Sequence, residues 1–194
     1  MGTRRGGRLP QPLDAHTLAE VPATSVDVLL DNVLHCAEDG EEGMRRLYGP
    51  PRLTGKGQRR VWTDGSALNN GTARARATGA AYFAHECSDN CAARVPGKQT
   101  NNRGEHLGLI LALLATQPDV PLVVYSDSEN VIHTYCHWAR GYEQTGWRCA
   151  NADLIVYAVT LLQRRPAGVE FRWIKGHSGN AGKDAADTMA RRAA

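Results

Sequence analysis

What is missing from these 194 residues narrows the field first. No apolar run approaches the length of a membrane span, and the opening has no hydrophobic stretch of the kind that starts a secretory signal. Cysteine is present without a framework. The five (Cys36, Cys87, Cys91, Cys136, Cys149) are odd in number and irregularly spaced, which argues against a disulfide scaffold and for an intracellular, reducing compartment, nucleus or cytoplasm. His85-x-Cys87-x3-Cys91 is not a usual zinc pair and no second half follows, so no zinc site is expected there. A large charge imbalance is also lacking. A net charge of +3 permits an anionic partner without requiring one, because nucleic-acid contact needs clustered charge more than net charge. Acids are absent from the first thirteen residues, faintly as in a mitochondrial presequence, but glycines and prolines spoil any amphipathic helix there. Met1-Gly2 would suit N-myristoylation only with Ser or Thr where Gly6 stands.

With 42% hydrophobic composition the chain can bury a core of one ordinary domain, or one domain plus an arm. Residues 1–23, punctuated by Pro10, Pro12 and Pro22, read as a disordered tail. Residues 24–59 read as a helical arm and linker. Thr24 or Ser25 caps a helix carrying Val26, Leu29, Leu30, Val33 and Leu34, Asp39-x-x-Glu42 opens a second helix through Tyr48, and Gly49-Pro50-Pro51 ends it. The arm is expected to pack on the main domain or on a partner.

From Arg60 onward the pattern is that of an α/β domain. Arg60–Ser66 is a short strand of β-branched and aromatic residues expected to end on an exposed carboxylate, Asp64, with the turn Asn69-Asn70-Gly71 leading to a hairpin partner at residues 77–84. A third strand is expected near 92–95, and then a helix capped by Asn101 or Asn102. Residues 121–126 form a continuous apolar strand, the sign of burial on both faces. Helices over 128–139 and about 150–164, a strand over 169–174 and a last alanine-rich helix complete the order. This order implies a mixed five-stranded sheet flanked by helices, with strands 1–3 antiparallel and strands 1, 4 and 5 parallel. Sites in such sheets collect where strands 1 and 4 end side by side. That is where Asp64 and Asp127 fall, and two carboxylates there need a cation between them.

Thr63-Asp64-Gly65-Ser66, Thr100-Asn-Asn-Arg-Gly-Glu105, Tyr125-Ser-Asp127-Ser128 and Gly176-His177-Ser-Gly179, with Asp187 ten residues past the histidine, resemble in order the motifs of type 1 ribonuclease H. The resemblance runs from about residue 60 to 194 and implies a ribonuclease H-like domain. It implies cleavage of the RNA strand of RNA–DNA hybrids, leaving 5′-phosphate and 3′-hydroxyl ends. It also implies two Mg²⁺ ions (Mn²⁺ as substitute), set about 3.5–4 Å apart to stabilise attacking water and leaving oxyanion. Asp64, Glu105, Asp127 and Asp187 would be the metal ligands, Asp64 bridging, and His177 would move a proton. Plainer roles compete: turn residue for Asp64, capping box for Glu105, helix cap for Asp127, surface histidine for His177, and Asp184 as a rival to Asp187.

The same resemblance carries over a substrate surface. Asn70, Asn101 and Asn102 match positions that contact RNA 2′-hydroxyls or base edges. Lys98, Thr100 and Asn151 match a pocket for a DNA phosphate, and Trp138 and Tyr142 match an aromatic channel for the deoxyriboses. Lys98 replaces a frequent arginine and loses its bidentate fork. Where relatives carry a basic protrusion, Arg140–Arg148 has two basic residues and an acid, Glu143, so hybrid binding is expected to be weaker or more salt-sensitive. Trp147 is expected to pack in the core. The expected partner is an RNA–DNA hybrid, with no membrane, and a monomer is expected. A silent hybrid-binding module of a retroelement polyprotein, or a DNA-directed nuclease of the same fold, would share many of these features.

Overall fold

The structure is a computed structural model that describes residues 40–49 and 57–194. The expected tail, the helix from Thr24 or Ser25, the cap at Asp39 and most of the linker lie outside the described residues. What is described of the arm is one helix, α1 (Gly40–Tyr48). Gly49 ends it in the left-handed region, φ +82°, and its N–H returns to the Arg45 carbonyl at 2.8 Å. The helix packs on the body of the molecule. Leu47 is buried, the Tyr48 hydroxyl donates to the Tyr135 carbonyl (2.9 Å), and Gln163 donates to the Leu47 carbonyl (2.9 Å).

The sheet has the expected topology. β1 (Arg59–Leu68), β2 (Arg76–Tyr82) and β3 (Cys91–Arg94) form an antiparallel meander, and β4 (Leu122–Ser126) and β5 (Val169–Trp173) add parallel to β1. The order across the sheet is β3-β2-β1-β4-β5. Leu122, Val123 and Val124 are each no more than 1% exposed, so β4 is covered on both faces. The covering helices are α2 (Asn101–Leu114) and α5 (Ala152–Arg164) on one side and α6 (Ala181–Ala193) on the other. Strand alternation shows the two faces directly: Gly65 faces α2, whereas Trp62, of opposite parity, lies against Gly182 of α6.

Glycine sets how close α2 comes. Gly65 and Gly79 are register partners on β1 and β2, and a Cβ on either would strike the α2 backbone around Gly104 and Gly108. The helix therefore rests on bare sheet backbone, which carries its second turn toward β1.

Three local expectations are corrected. Asp64 does not end an exposed strand; β1 runs on to Leu68 because β2 keeps pairing as far as Leu68↔Arg76, and Asp64 is buried in mid-strand. The parallel pairing with β4 does stop nearby, at Trp62↔Tyr125. Neither Asn101 nor Asn102 caps α2; Thr100 does, its hydroxyl accepting from the Arg103 N–H. The helix expected over 128–139 is broken and extended: α3 (Glu129–His133) passes through a wide π turn (Thr134–Trp138) into α4 (Ala139–Gln144). The wider turn leaves Tyr135 fully buried while His137 and Trp138 face outward.

Candidate active site

β1 delivers Asp64 and β4 ends one residue before Asp127, so the two parallel strands carry their acids to the same edge. Glu105 arrives from the second turn of α2, which the glycine contact seats on β1. Carboxylate oxygens of Asp64, Glu105 and Asp127 all lie within 4.8 Å of one another, the metal-competent acid group among the described residues. Ser128 caps α3, leaving Asp127 free to face the cluster rather than serve as helix cap. Likewise Glu105 serves no capping box: its Oε1 accepts from Asn101 Nδ2 at 3.3 Å.

Like charges this close cost about 3–4 kcal/mol per pair at an effective dielectric constant of 20. The chain answers with a cation that sequence reasoning missed. Lys183, 3% exposed, sends its Nζ to Asp64 Oδ1, to Asp127 Oδ1 at 2.6 Å and to the Thr63 carbonyl at 3.3 Å. It stands on the first turn of α6, capped by Asn180, and four residues before Asp187, so one helix face carries both. The signal was that i,i+4 spacing.

Burial dominates the electrostatics. It raises Glu105 from its ordinary 4.5 to about 8, the charges of Asp64 and Asp127 adding to the rise while Lys183 and Asn101 oppose it. Burial likewise raises Asp64 to about 6, against the pull of Lys183 and with Asp127 and Asp187 adding. For Lys183, burial acts to lower the value, but Asp64, Asp127 and Glu105 outweigh it and the ammonium is held above its ordinary range. Glu105 Oε2 is buried and has no hydrogen-bond partner. An orphaned carboxylate oxygen beside two further carboxylates is the donor set a hard divalent cation requires, so the residues fit a Mg²⁺ or Mn²⁺ site.

The cluster opens into a cleft of about 480 Å³ that Asn101, His177, Asp184 and Asp187 also line. Asp187 is outside the close group; its Oδ1 accepts from Arg191 Nε at 2.9 Å, although its charge reaches Asp64. Its rival Asp184 is exposed. His177 is exposed on a loop that crosses Asp127, where a Cβ on Gly176 would meet the Asp127 carboxylate. His177 itself is held in the left-handed region, φ 51°.

The other candidates lie outside this cleft. Asn70 is exposed in the β1–β2 turn, and Asn102 and Lys98 are exposed beside the start of α2. A second residue missed in the sequence, Arg103, ties the segments bearing Lys98, Thr100 and Asn151 together. It donates to both Asp153 carboxylate oxygens (2.8 and 2.6 Å) at the start of α5 and to the Pro96 carbonyl (2.8 Å). Asn151 precedes α5 with φ 60° and makes no side-chain cap. Trp138 is 42% exposed beside His133, whereas Tyr142 and Trp147 lie half-buried against the core. Arg140 pairs with Glu143, so its charge is partly spent within α4.

Two neighbouring parallel strands and the helix packed on them bring three carboxylates together in an α/β protein, a donor set able to hold a divalent cation. The family model for RNase H matches residues 56–194, and the chain belongs to that family. Ribonuclease H1 of Mus musculus is 33% identical over 140 residues, 69% of this chain and 49% of that protein. Ribonuclease H of Shewanella amazonensis is 35% identical over 144 residues, 71% of this chain and 88% of that protein. The chain thus spans about half the length of the mammalian relatives it matches. Among solved structures, LC9-RNase H1, described as a type 1 RNase H with the type 2 active-site motif, superposes with a TM-score of 0.58 at 25% identity, covering 73% of this chain and 74% of that one. A foamy virus protease–reverse transcriptase shares the fold, with a TM-score of 0.58 at 17% identity over 74% of this chain and 22% of that one.

Proposed function

We propose that this chain is a metal-dependent endonuclease that hydrolyses the RNA strand of RNA–DNA hybrids and leaves 5′-phosphate and 3′-hydroxyl ends. The observation that carries the reading is the close group of Asp64, Glu105 and Asp127 carboxylates, with Glu105 Oε2 buried and unpartnered, inside a family of ribonucleases H. Asp64, Glu105 and Asp127, with Asp187 across the cleft, hold Mg²⁺ ions, two by the family resemblance, with Mn²⁺ as substitute. Such ions supply charge stabilisation at the attacking and leaving oxygens of the phosphate. His177, exposed at the cleft mouth, takes up and returns a proton. Asn101, Asn102 and Asn70 contact 2′-hydroxyls, Lys98, Thr100 and Asn151 hold a phosphate of the DNA strand, and Trp138 with Tyr142 lies along its sugars.

The catalytic unit is residues 60–194, with 24–59 as its arm and 1–23 as its tail, and it acts as a monomer. Free Cys87, Cys91, Cys136 and Cys149 support a reducing compartment, nucleus or cytoplasm, with the mitochondrion as the alternative. No helix among the described residues is long and apolar enough to cross a membrane. A labelled hybrid cut with Mg²⁺ and not after chelation, and left intact but bound by Asp127→Asn, is the expected result. An unchanged rate in that variant would defeat the assignment. The second reading, a catalytically silent hybrid-binding module, is favoured by Lys183 standing between Asp64 and Asp127; hybrid binding with no cleavage in the parent protein would establish it.

A further inference from the structure

A lysine buried between two carboxylates can be a structural tie or a stand-in for a metal ion. The geometry decides. Its Nζ has three partners, the Asp64 and Asp127 carboxylates and the Thr63 carbonyl. The oxygens it takes, Oδ1 of Asp64 and Oδ1 of Asp127, belong to the two residues that a cation between β1 and β4 would ligate. Glu105, the third acid of the group, makes no ion pair with the lysine, and its Oε2 has no partner. The cluster is therefore lopsided: the edge shared by Asp64 and Asp127 already holds a cation, and the edge shared by Asp64 and Glu105 does not.

We propose that Lys183 is a resident cation of this cluster, holding Asp64 and Asp127 together when no metal is bound and competing with a divalent ion for them. The inference rests on the metal-ligand reading of these acids given above. One ion enters on the Glu105 side without disturbing the lysine. An ion ligated through Asp127 Oδ1 has to displace the ammonium, so Lys183 sets how tightly the second ion binds. A flexible four-carbon stem on the first turn of α6 allows the ammonium to withdraw, and the cleft gives it room.

The test uses the full chain, free Mg²⁺ or Mn²⁺ and no nucleic acid. Calorimetric titration of Lys183→Met, which keeps the length and removes the charge, is expected to show the weaker ion binding at least about tenfold more tightly than in the parent. The same variant unfolds at a lower temperature without metal, and saturating Mn²⁺ closes that gap. Lys183→Arg, which keeps the charge, shows no tightening. A Lys183→Met protein that binds ions no more tightly than the parent overturns the proposal and leaves a structural tie. Should that variant fail to fold, the parent decides by nitrogen-15 resonance of its lysine ammonium groups. A protected ammonium signal seen without metal is expected to move or vanish along the Mg²⁺ binding curve, and one unchanged at saturation overturns the proposal. The two readings fail separately. A hybrid cut while the lysine stays in place sinks only the displacement, whereas displacement without any cleavage sinks only the nuclease assignment.

Discussion

Glu105 and His106 are consecutive residues of α2, both buried, 7% and 1% exposed, and both pushed by that burial toward the neutral form. There the likeness ends. His106 turns into the core, where its Nδ1 shares a 3.0 Å hydrogen bond with the Tyr135 hydroxyl; burial and the charge of Arg103 lower it from 6.5 to about 4. Glu105 turns toward β1, meets two more acids, and keeps one oxygen without a partner. A buried polar group whose neutral form is satisfied is finished structure. A buried group with an orphaned oxygen among like charges is incomplete without a cation.

The comparison breaks most sharply at Glu105→Gln. Hybrid cleavage is expected to fall by roughly a thousandfold or more, since several kcal/mol of transition-state stabilisation depend on the ions held there. Yet the metal-free variant should be no less stable than the parent above pH 8, where the parent has to bury a charge. Steady-state rates and thermal melts check both halves; a stable, fully active variant would contradict them. His106→Phe should do the reverse. It leaves the Tyr135 hydroxyl buried without its partner and costs about 1–3 kcal/mol in denaturant unfolding, with little change in cleavage per folded molecule.

The pH dependence of metal-free stability sharpens the contrast, because the two residues give opposite slopes. Glu105 binds its proton more tightly folded than unfolded, so its contribution is full below 4.5 and is lost as pH rises through about 8. His106 binds its proton less tightly when folded, so its contribution is full above 6.5 and is lost as pH falls toward 4. Melting curves of the Glu105 variant should lose the fall near pH 8 and keep the one that Asp64 gives near 6. Those of the His106 variant should lose only the opposite slope, and a divalent ion should remove both carboxylate falls. The smallest effect belongs to Asn101→Ala, which takes one 3.3 Å donor from Glu105 and should lower metal-free stability by less than about 1 kcal/mol.

Much of this was legible along the chain. Strand order, the parallel placement of strands 1, 4 and 5 and the buried run at 122–124 followed from periodicity, because the period of the apolar residues is set by backbone geometry. Asp64, Glu105 and Asp127 could be read from their local motifs, and all three reach one site. Lys183 left only its i,i+4 spacing from Asp187 as a signal, since a lysine on the first turn of a helix looks like a solvated charge until the sheet edge beneath it is known. Arg103 was missed for the same reason: its partner Asp153 is fifty residues away. The length of β1 past Asp64 also escaped, being set by how far β2 keeps pairing with it, and so did the π turn before α4.

The sequence by itself determined which acids this protein carries and on which strands and helix they ride, because local periodicity and turn chemistry act within a few residues. Only the tertiary structure decided that an ammonium from the last helix stands between two of them. A charge's worth depends on what is packed against it, and that contact closes a loop of more than a hundred residues.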